Sequence, residues 1–185
     1  MSDSRGRPRT SSRAALEEAA LELFLEQGYT PTTIDQITSR AGVSRATFFN
    51  YFSSKADLLW VEVDDALDSL GDDIDRGASL DDALDTLAAR VAEGFPPLIA
   101  SHQETIGAAE EIRQEAGARV IDLADVIARS GVEIHRVWIV TGAIVQAALA
   151  WSGAGAGREH PREYLRLAAA DAPEILGDAP SPVVA

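Results

Sequence analysis

The chain has 185 residues, of which 46% are hydrophobic and 25% charged, a composition ordinary for a globular protein with a buried core. Cysteine is absent, which excludes disulfide bonds and thiolate metal sites, and an apolar content rich in Ala and Leu favours helices over strands. The net charge of −14 argues against a chain that attracts nucleic acid over its whole surface.

The charge is unevenly distributed along the chain. Residues 1–60 hold seven basic and seven acidic side chains, whereas residues 61–185 hold nine basic and twenty-three acidic ones. Residues 36–56 contain Arg40, Arg45 and Lys55 but no Asp or Glu. Because DNA binding depends on the charge of one face more than on the net charge, this acid-free window is a candidate docking face.

The first residues predict a polar arm and one amphipathic helix. Residues 1–10 carry several arginines and lack the apolar core of a signal peptide. From about Ser11 or Ser12 to Gln27 the apolar residues recur at helical spacing, and Gly28 suits the C-terminal cap of that helix.

Residues 32–52 predict two short helices joined by a tight turn. Thr33 can cap a helix that ends near Arg40, and Gly42 suits a turn with positive φ. Ser44 can cap a second helix that ends near Tyr51. Two short helices in this arrangement are typical of a helix-turn-helix, in which the second helix enters the major groove of DNA.

The rest of the chain predicts further helices with weaker patterning. We expect helices at about residues 55–70, 80–95, 98–115, 117–129, 132–152 and 161–170, with an acidic linker at Gly71–Ala78 and a break at Pro96–Pro97. The most apolar run, Val137–Trp151, is too short for a membrane span. We therefore expect a soluble, cytoplasmic protein that is not attached to a membrane.

The N-terminal quarter resembles the TetR family of bacterial regulators. The resemblance lies in AALELF at 19–24, Gly28–Tyr29, TTI at 32–34, AGVS at 41–44, TFFNYF at 47–52 and SKADL at 54–58. The sequence departs from the family pattern at Thr38, Ala46 and Phe49, where Ala, Gly and Tyr are common. The TFFxYF form is similar to that of an actinobacterial subgroup with mycofactocin-type regulators, which sense acyl-CoA.

This resemblance implies an all-α fold and a regulatory function. It implies an N-terminal arm and three-helix helix-turn-helix DNA-binding domain over residues 1–53, then an α-helical ligand-binding and dimerisation domain over 54–185. The implied protein is a homodimeric transcriptional regulator, a repressor that a small, largely apolar effector releases from a palindromic operator. The alternative is a helical dimer that binds a small molecule or a protein partner without using DNA.

Candidate DNA contacts follow from the chemistry of the side chains in the helix-turn-helix. Arg45 can take both acceptors of guanine, Asn50 can pair with adenine, and Thr47 can touch the thymine methyl group. The predicted phosphate and arm contacts are Thr33, Ser44, Tyr51, Lys55, Arg5, Arg7 and Arg9. The alternatives are solvated helix positions for the base readers, a packed aromatic for Tyr51 and a solubilising tail for the arm.

The candidate sites in the helical body are less specific. Predicted pocket walls are Phe95, Leu98, Ile99, Ile106 and Ile112, which plain core packing would equally explain. The predicted dimer interface comprises Trp138, Ile144, Val145, Ala148, Trp151, Tyr164 and Leu165, because the helix 132–152 is apolar around much of its circumference and could pair with the last helix. The alternative is a wholly intramolecular core. We find no nucleophile–base pairing and no metal-ligand spacing of histidines, and so expect no enzyme activity, no cofactor and no metal site.

Overall fold

The structure is a computed structural model that describes residues 12–93, 103–155 and 158–176. The helices are α1 Ser12–Gln27, α2 Ile34–Ala41, α3 Arg45–Phe49, α4 Asp57–Asp75, α5 Leu80–Ala92, α6 Gln103–Ile106, α7 Ala109–Arg129, α8 Val137–Gly153 and α9 Pro161–Leu176. A 3-10 turn, Ile134–Arg136, precedes α8. No strand occurs within these ranges, and the predicted all-α fold is confirmed.

The chain forms two compact units. Among the described residues, the N-terminal unit comprises residues 12–61 and 103–114, and the C-terminal unit comprises residues 62–93, 115–155 and 158–176. The N-terminal unit is therefore longer than the predicted helix-turn-helix domain of residues 1–53, and it takes in a segment from much later in the chain. Helical periodicity could not reveal that segment, because periodicity reports which face of a helix is buried and not what covers it.

The N-terminal unit has a core of apolar residues from the helix-turn-helix, α1 and the later segment. The buried side chains include Leu16, Leu23, Phe24, Tyr29, Ile37, Phe48, Phe52, Leu59, Ile106 and Ile112. The rings of Phe24 and Tyr29 lie 5.3 Å apart, and those of Phe48 and Phe52 lie 5.6 Å apart. Burying each such side chain contributes about 1.5–3 kcal/mol, so this small core is sufficient to fix three short helices.

Helix α4 extends beyond its predicted end. The sequence predicts a linker from Gly71 to Ala78, but residues 71–75 are helical. The physical reason is that Leu70 and Ile74 lie four residues apart and both enter the core of the C-terminal unit. Burial of this pair outweighs the helix-propensity cost of the intervening glycine, about 1 kcal/mol.

Helix α7 is continuous where the sequence predicts a break. Gly117 lies inside it, and the chain turns at Gly107, where φ is +68°. Beyond Gly117, α7 contributes Leu123 and Ile127 to the core of the C-terminal unit. A single glycine therefore did not end this helix, because packing along the helix and its hydrogen bonds outweigh a cost of about 1 kcal/mol.

Helix α8 is apolar on most of its surface, as predicted, but part of that surface is uncovered. Within the described residues one helical segment, Ile134–Gly153, is long and apolar enough to cross a membrane by length and composition, with a mean hydropathy of 1.3. The turn before α8 makes this segment longer than the predicted run 137–151. Only 22% of the most apolar 18-residue stretch of this segment is buried, and Trp138 is 61% exposed.

Candidate nucleic-acid interface

The first helix of the helix-turn-helix is fixed by the two caps that the sequence predicts. Gln36 donates its backbone N–H to Thr33 Oγ1 (3.2 Å), and Thr33 donates its backbone N–H to Gln36 Oε1 (2.8 Å). At the other end, Gly42 has φ 69°, and the N–H of Val43 donates to the Thr38 carbonyl (3.0 Å). This reciprocal capping and the left-handed residue hold α2 to a defined length.

The second helix begins at a serine cap. Thr47 donates its backbone N–H to Ser44 Oγ (3.0 Å), and the two hydroxyl oxygens lie 2.8 Å apart. Ser44, a predicted phosphate contact, and Thr47, a predicted base reader, are therefore hydrogen-bonded to each other. Phe48 is fully buried and anchors α3 on the core of the unit. The capped start and the buried ring leave the rest of α3 at the surface.

The predicted base readers lie in α3 and at its C-terminal end. Arg45 and Asn50 are exposed and Thr47 is half-buried. Arg45 donates from Nη1 to Asp35 Oδ1 at 2.6 Å, and its guanidinium carbon lies 5.5 Å from the centre of the Phe49 ring. Neither Asp35 nor Phe49 is among the residues for which the sequence predicts a contact. Asp35 and Arg45 are ten residues apart and separated by a turn, so no local sequence pattern predicts that they form an ion pair.

Tyr51, a predicted phosphate contact, follows α3 and is about half exposed. Its ring centre lies 6.5 Å from that of Phe52, whose side chain is buried. This placement leaves much of the Tyr51 side chain accessible to solvent, in contrast to the packed aromatic that the sequence offered as the alternative.

The sequence predicts that Lys55 contacts a DNA phosphate, but in the structure its ammonium group is hydrogen-bonded within the N-terminal unit. Its Nζ donates to the carbonyls of Tyr29 (2.7 Å) and Thr32 (2.8 Å) and lies 3.9 Å from the centre of the Tyr29 ring. Burial of the ammonium lowers the pKa of Lys55, an effect that the Glu111 carboxylate partly offsets. The geometry therefore assigns Lys55 to the loop between α1 and α2, with two of its three donors already used.

Acidic side chains from outside the acid-free window pair with two of its three cations. Arg40 donates from Nη1 to Glu22 Oε2 (3.1 Å) and from Nη2 to Glu26 Oε2 (2.9 Å), linking α2 to α1. Arg45 pairs with Asp35, which directly precedes the window. The hydrogen bonds to Arg40 lower the pKa of Glu26. The basic bias of the sequence is thus weaker in three dimensions than the residue count suggests.

Several predicted site residues lie outside the described residues. They are Arg5, Arg7 and Arg9 of the arm and Phe95, Leu98 and Ile99 of the pocket. The predicted break at Pro96–Pro97 lies there as well.

Two predicted pocket residues belong elsewhere. Ile106 and Ile112 are buried, but both lie in the N-terminal unit and not in the helical body where the sequence analysis placed them. The carbonyl of Ile106 accepts the N–H of Tyr29 at 2.7 Å. These two residues are therefore core residues of the unit that carries the helix-turn-helix, and their assignment to a ligand pocket is corrected.

The C-terminal unit contains two cavities of opposite character. An apolar cavity of about 110 Å³ is lined by Leu84, Leu87, Ala88, Val91, Ile144, Ala147, Ala148, Trp151, Pro161 and Leu165 of α5, α8 and α9. A cleft of about 690 Å³ between α4 and α7 is lined by six aspartates, with Arg119 and Arg129 among them. Arg119 pairs with Asp64 at 3.1 Å. Within the described residues, no group of three or more metal-ligating side chains is arranged to hold an ion.

The predicted dimer interface divides into exposed and buried residues. Trp138 and Ala148 are exposed, and Ile144, Val145, Tyr164 and Leu165 are half-buried. Trp151 is only 4% exposed, and its Nε1 donates to the Glu159 carbonyl at 3.2 Å. Trp151 is therefore a core residue of its own chain, which corrects its assignment to the interface. Leu149 of α8 and Leu167 of α9 are further exposed apolar residues.

The helix-turn-helix region matches a known family. Residues 16–60 match the family model described as "Bacterial regulatory proteins, tetR family". The chain is 35% identical over 82 residues to MftR of Mycobacterium tuberculosis, a candidate mycofactocin biosynthesis transcriptional regulator, covering 43% of this chain and 41% of that protein. It is 37% identical over 86 residues to the HTH-type transcriptional regulator YdeS of Bacillus subtilis, covering 44% and 42%. Less than half of either relative's length is matched.

The fold of the chain is similar to that of a solved regulator over almost its whole length. The structure of FadR from Thermus thermophilus, a TetR family transcriptional repressor in complex with lauroyl-CoA, covers 94% of this chain and 99% of its own. Its sequence identity is 23% and the TM-score is 0.52, so this likeness bears on the fold alone. The match to the TetR family of bacterial regulatory proteins is thus carried by residues 16–60.

Proposed function

We propose that this protein is a DNA-binding transcriptional regulator that acts in the cytoplasm as a homodimer on a palindromic operator. One observation carries the proposal: the family match over residues 16–60 coincides with two capped helices whose second helix exposes Arg45 and Asn50. In a symmetric dimer the two recognition helices would enter successive major grooves about 34–36 Å apart. The proposed role is repression that an effector relieves.

The proposed DNA contacts are divided between bases and backbone. Arg45, Thr47 and Asn50 would read base edges from α3, which fixes specificity. Thr33, Ser44 and Tyr51 would contact phosphates and fix the register of the protein on the duplex. The arm residues Arg5, Arg7 and Arg9 would follow the adjacent minor groove. Lys55 would support the loop between α1 and α2 and leave phosphate binding to these groups.

The homodimer would form through α8. The exposed side chains of Trp138 and Leu149 lie on a helix that is apolar around most of its circumference, and covering such a surface is the usual reason for association. Trp138→Asp should therefore give monomers in sedimentation, and Gln114→Asp, which places the same charge at an exposed polar position of α7, is the control. If both variants remain dimeric, the interface lies on another surface.

The effector is proposed to be small and largely apolar. Support comes from the apolar cavity lined by α5, α8 and α9, whose 110 Å³ would accept a short hydrocarbon group. The solved FadR structure holds lauroyl-CoA, which makes acyl chains a reasonable first class to test. To release the operator, the effector would have to bind one conformation of the protein more tightly than the other.

The alternative function is a helical dimer that binds a small molecule or a protein without DNA. The observation that favours it is that Arg40, Arg45 and Lys55, the cations of the acid-free window, all have partners within the chain. Selection of bound sequences from a random duplex pool separates the two functions. Enrichment of a palindrome supports the regulator. Absence of enrichment, together with absence of salt-sensitive binding, supports the alternative.

A further inference from the structure

The guanidinium of Arg45 is held between a carboxylate and an aromatic ring. Arg45 is the first residue of α3, and Asp35 lies in the first turn of α2. The Nη1–Oδ1 distance of 2.6 Å is that of a charge-assisted hydrogen bond, and the Phe49 ring lies 5.5 Å from the guanidinium carbon. Phe49 is itself fixed by an edge contact with the buried Phe48 ring, 5.3 Å between centres.

This arrangement uses one end of the guanidinium and leaves one edge available. Asp35 accepts from Nη1, and among the residues that the structure describes no hydrogen bond is formed by Nε or Nη2 of Arg45. The Nε–H and Nη2–H bonds are parallel, and such a pair matches the O6 and N7 acceptors that guanine presents in the major groove. The first residue of a recognition helix is well placed to reach a base edge.

The pair between Asp35 and Arg45 contributes little to stability. Its side chains are 74% and 58% exposed, and ion pairs this exposed contribute at most about 1 kcal/mol. Its larger effect is to restrict a long side chain before DNA arrives, which lowers the entropy lost on binding. The negative charge of Asp35 would also repel phosphates, which weakens binding to any duplex that offers no compensating base contact.

We propose that Asp35 is a positioning residue for base readout: together with Phe49 it holds the Arg45 guanidinium so that its Nε–Nη2 edge reads one guanine of the operator half-site. Asp35 contributes specificity through Arg45, while its charge lowers affinity for other sequences. This inference rests on the proposed function, because it requires that α3 enters the major groove.

The test is a double-mutant cycle on base preference. Wild type, Asp35→Ala, Arg45→Ala and the double variant are titrated with the selected operator, with the operator carrying A·T in place of each G·C pair, and with a random duplex. We expect Asp35→Ala to reduce the preference for one guanine about two- to tenfold, the effect of releasing one ordered side chain. Its affinity for the random duplex should stay equal or increase. Glu18→Gln removes one negative charge from an exposed position of α1 and should leave the preference unchanged.

The cycle distinguishes positioning from a structural effect. In the Arg45→Ala background, Asp35→Ala should have no effect on base preference, because the side chain through which it acts is gone. Phe49→Tyr should retain the preference and Phe49→Leu should reduce it, since only an aromatic ring can face the guanidinium.

Two results would overturn the inference while leaving the proposed function intact. One is a guanine preference that Arg45→Ala abolishes but Asp35→Ala leaves at the wild-type level. The other is a loss of guanine preference on Asp35→Ala that is equally large in the Arg45→Ala background. A wild-type protein that binds all duplexes alike would instead refute the proposed function, and this inference with it.

Discussion

Replacing Lys55 with Met separates the structural role of this residue from the phosphate contact that its sequence position suggests. Methionine keeps the length of the aliphatic chain but removes the ammonium group. The substitution therefore breaks the hydrogen bonds to the carbonyls of Tyr29 and Thr32 and the contact with the Tyr29 ring. We expect the variant to be less stable and to keep the salt dependence of DNA binding of the wild type.

The magnitude follows from the contacts. Each hydrogen bond from a charged donor contributes about 1.5–3 kcal/mol, and the ring contact adds about 0.5–1 kcal/mol. Against these gains stands the cost of burying the ammonium, which is also what lowers the pKa of Lys55. A net loss of about 2 kcal/mol results, which for a chain of this size corresponds to a decrease in Tm of about 4–8 °C.

Two measurements test this expectation. Thermal unfolding gives the loss of stability, and operator affinity measured between about 50 and 200 mM salt gives the number of phosphates neutralised. Arg113→Ala is the matched control, because Arg113 is an exposed cation of the same unit whose ion pair with Glu110 should contribute little. Unchanged stability of Lys55→Met together with a salt slope lower by about one would refute the structural role and restore the phosphate contact.

Three further predictions follow from burial and backbone geometry. Trp151→Ala should lower the free energy of unfolding by about 3–5 kcal/mol in urea titrations, whereas Trp138→Ala should change it by less than about 0.5 kcal/mol in the monomer and weaken dimerisation in sedimentation. Equal losses for both tryptophans would contradict the burial difference. Gly42→Ala should cost about 1–2 kcal/mol, because only the left-handed backbone and no steric contact opposes the methyl group. Thr33→Ala should cost about 1 kcal/mol and Thr33→Ser little, and a neutral Thr33→Ala would contradict the capping role.

The sequence by itself determined the local structure of the helix-turn-helix. Caps and turns depend on residues within three or four positions of each other, so Thr33, Gly42 and Ser44 could be placed without any knowledge of the fold. The same holds for the apolar residues on the predicted inner face of α1, of which Leu16, Ala20, Leu23 and Phe24 are buried, whereas Gln27 on that face is exposed. The order and spacing of these signals are specific enough to indicate a resemblance to the TetR family over residues 16–60.

Only the tertiary structure decided the roles of side chains whose partners are distant in the chain. Lys55 donates hydrogen bonds to carbonyls more than twenty residues earlier, Arg45 donates to Asp35 across a turn, and Ile106 packs in a unit whose first segment ends more than forty residues before it. Trp138 and Trp151 lie in the same apolar helix, yet one is exposed and the other buried. Periodicity shows that a residue is apolar and on which face it lies. What covers that face is decided by the packing of elements that the local sequence does not encode.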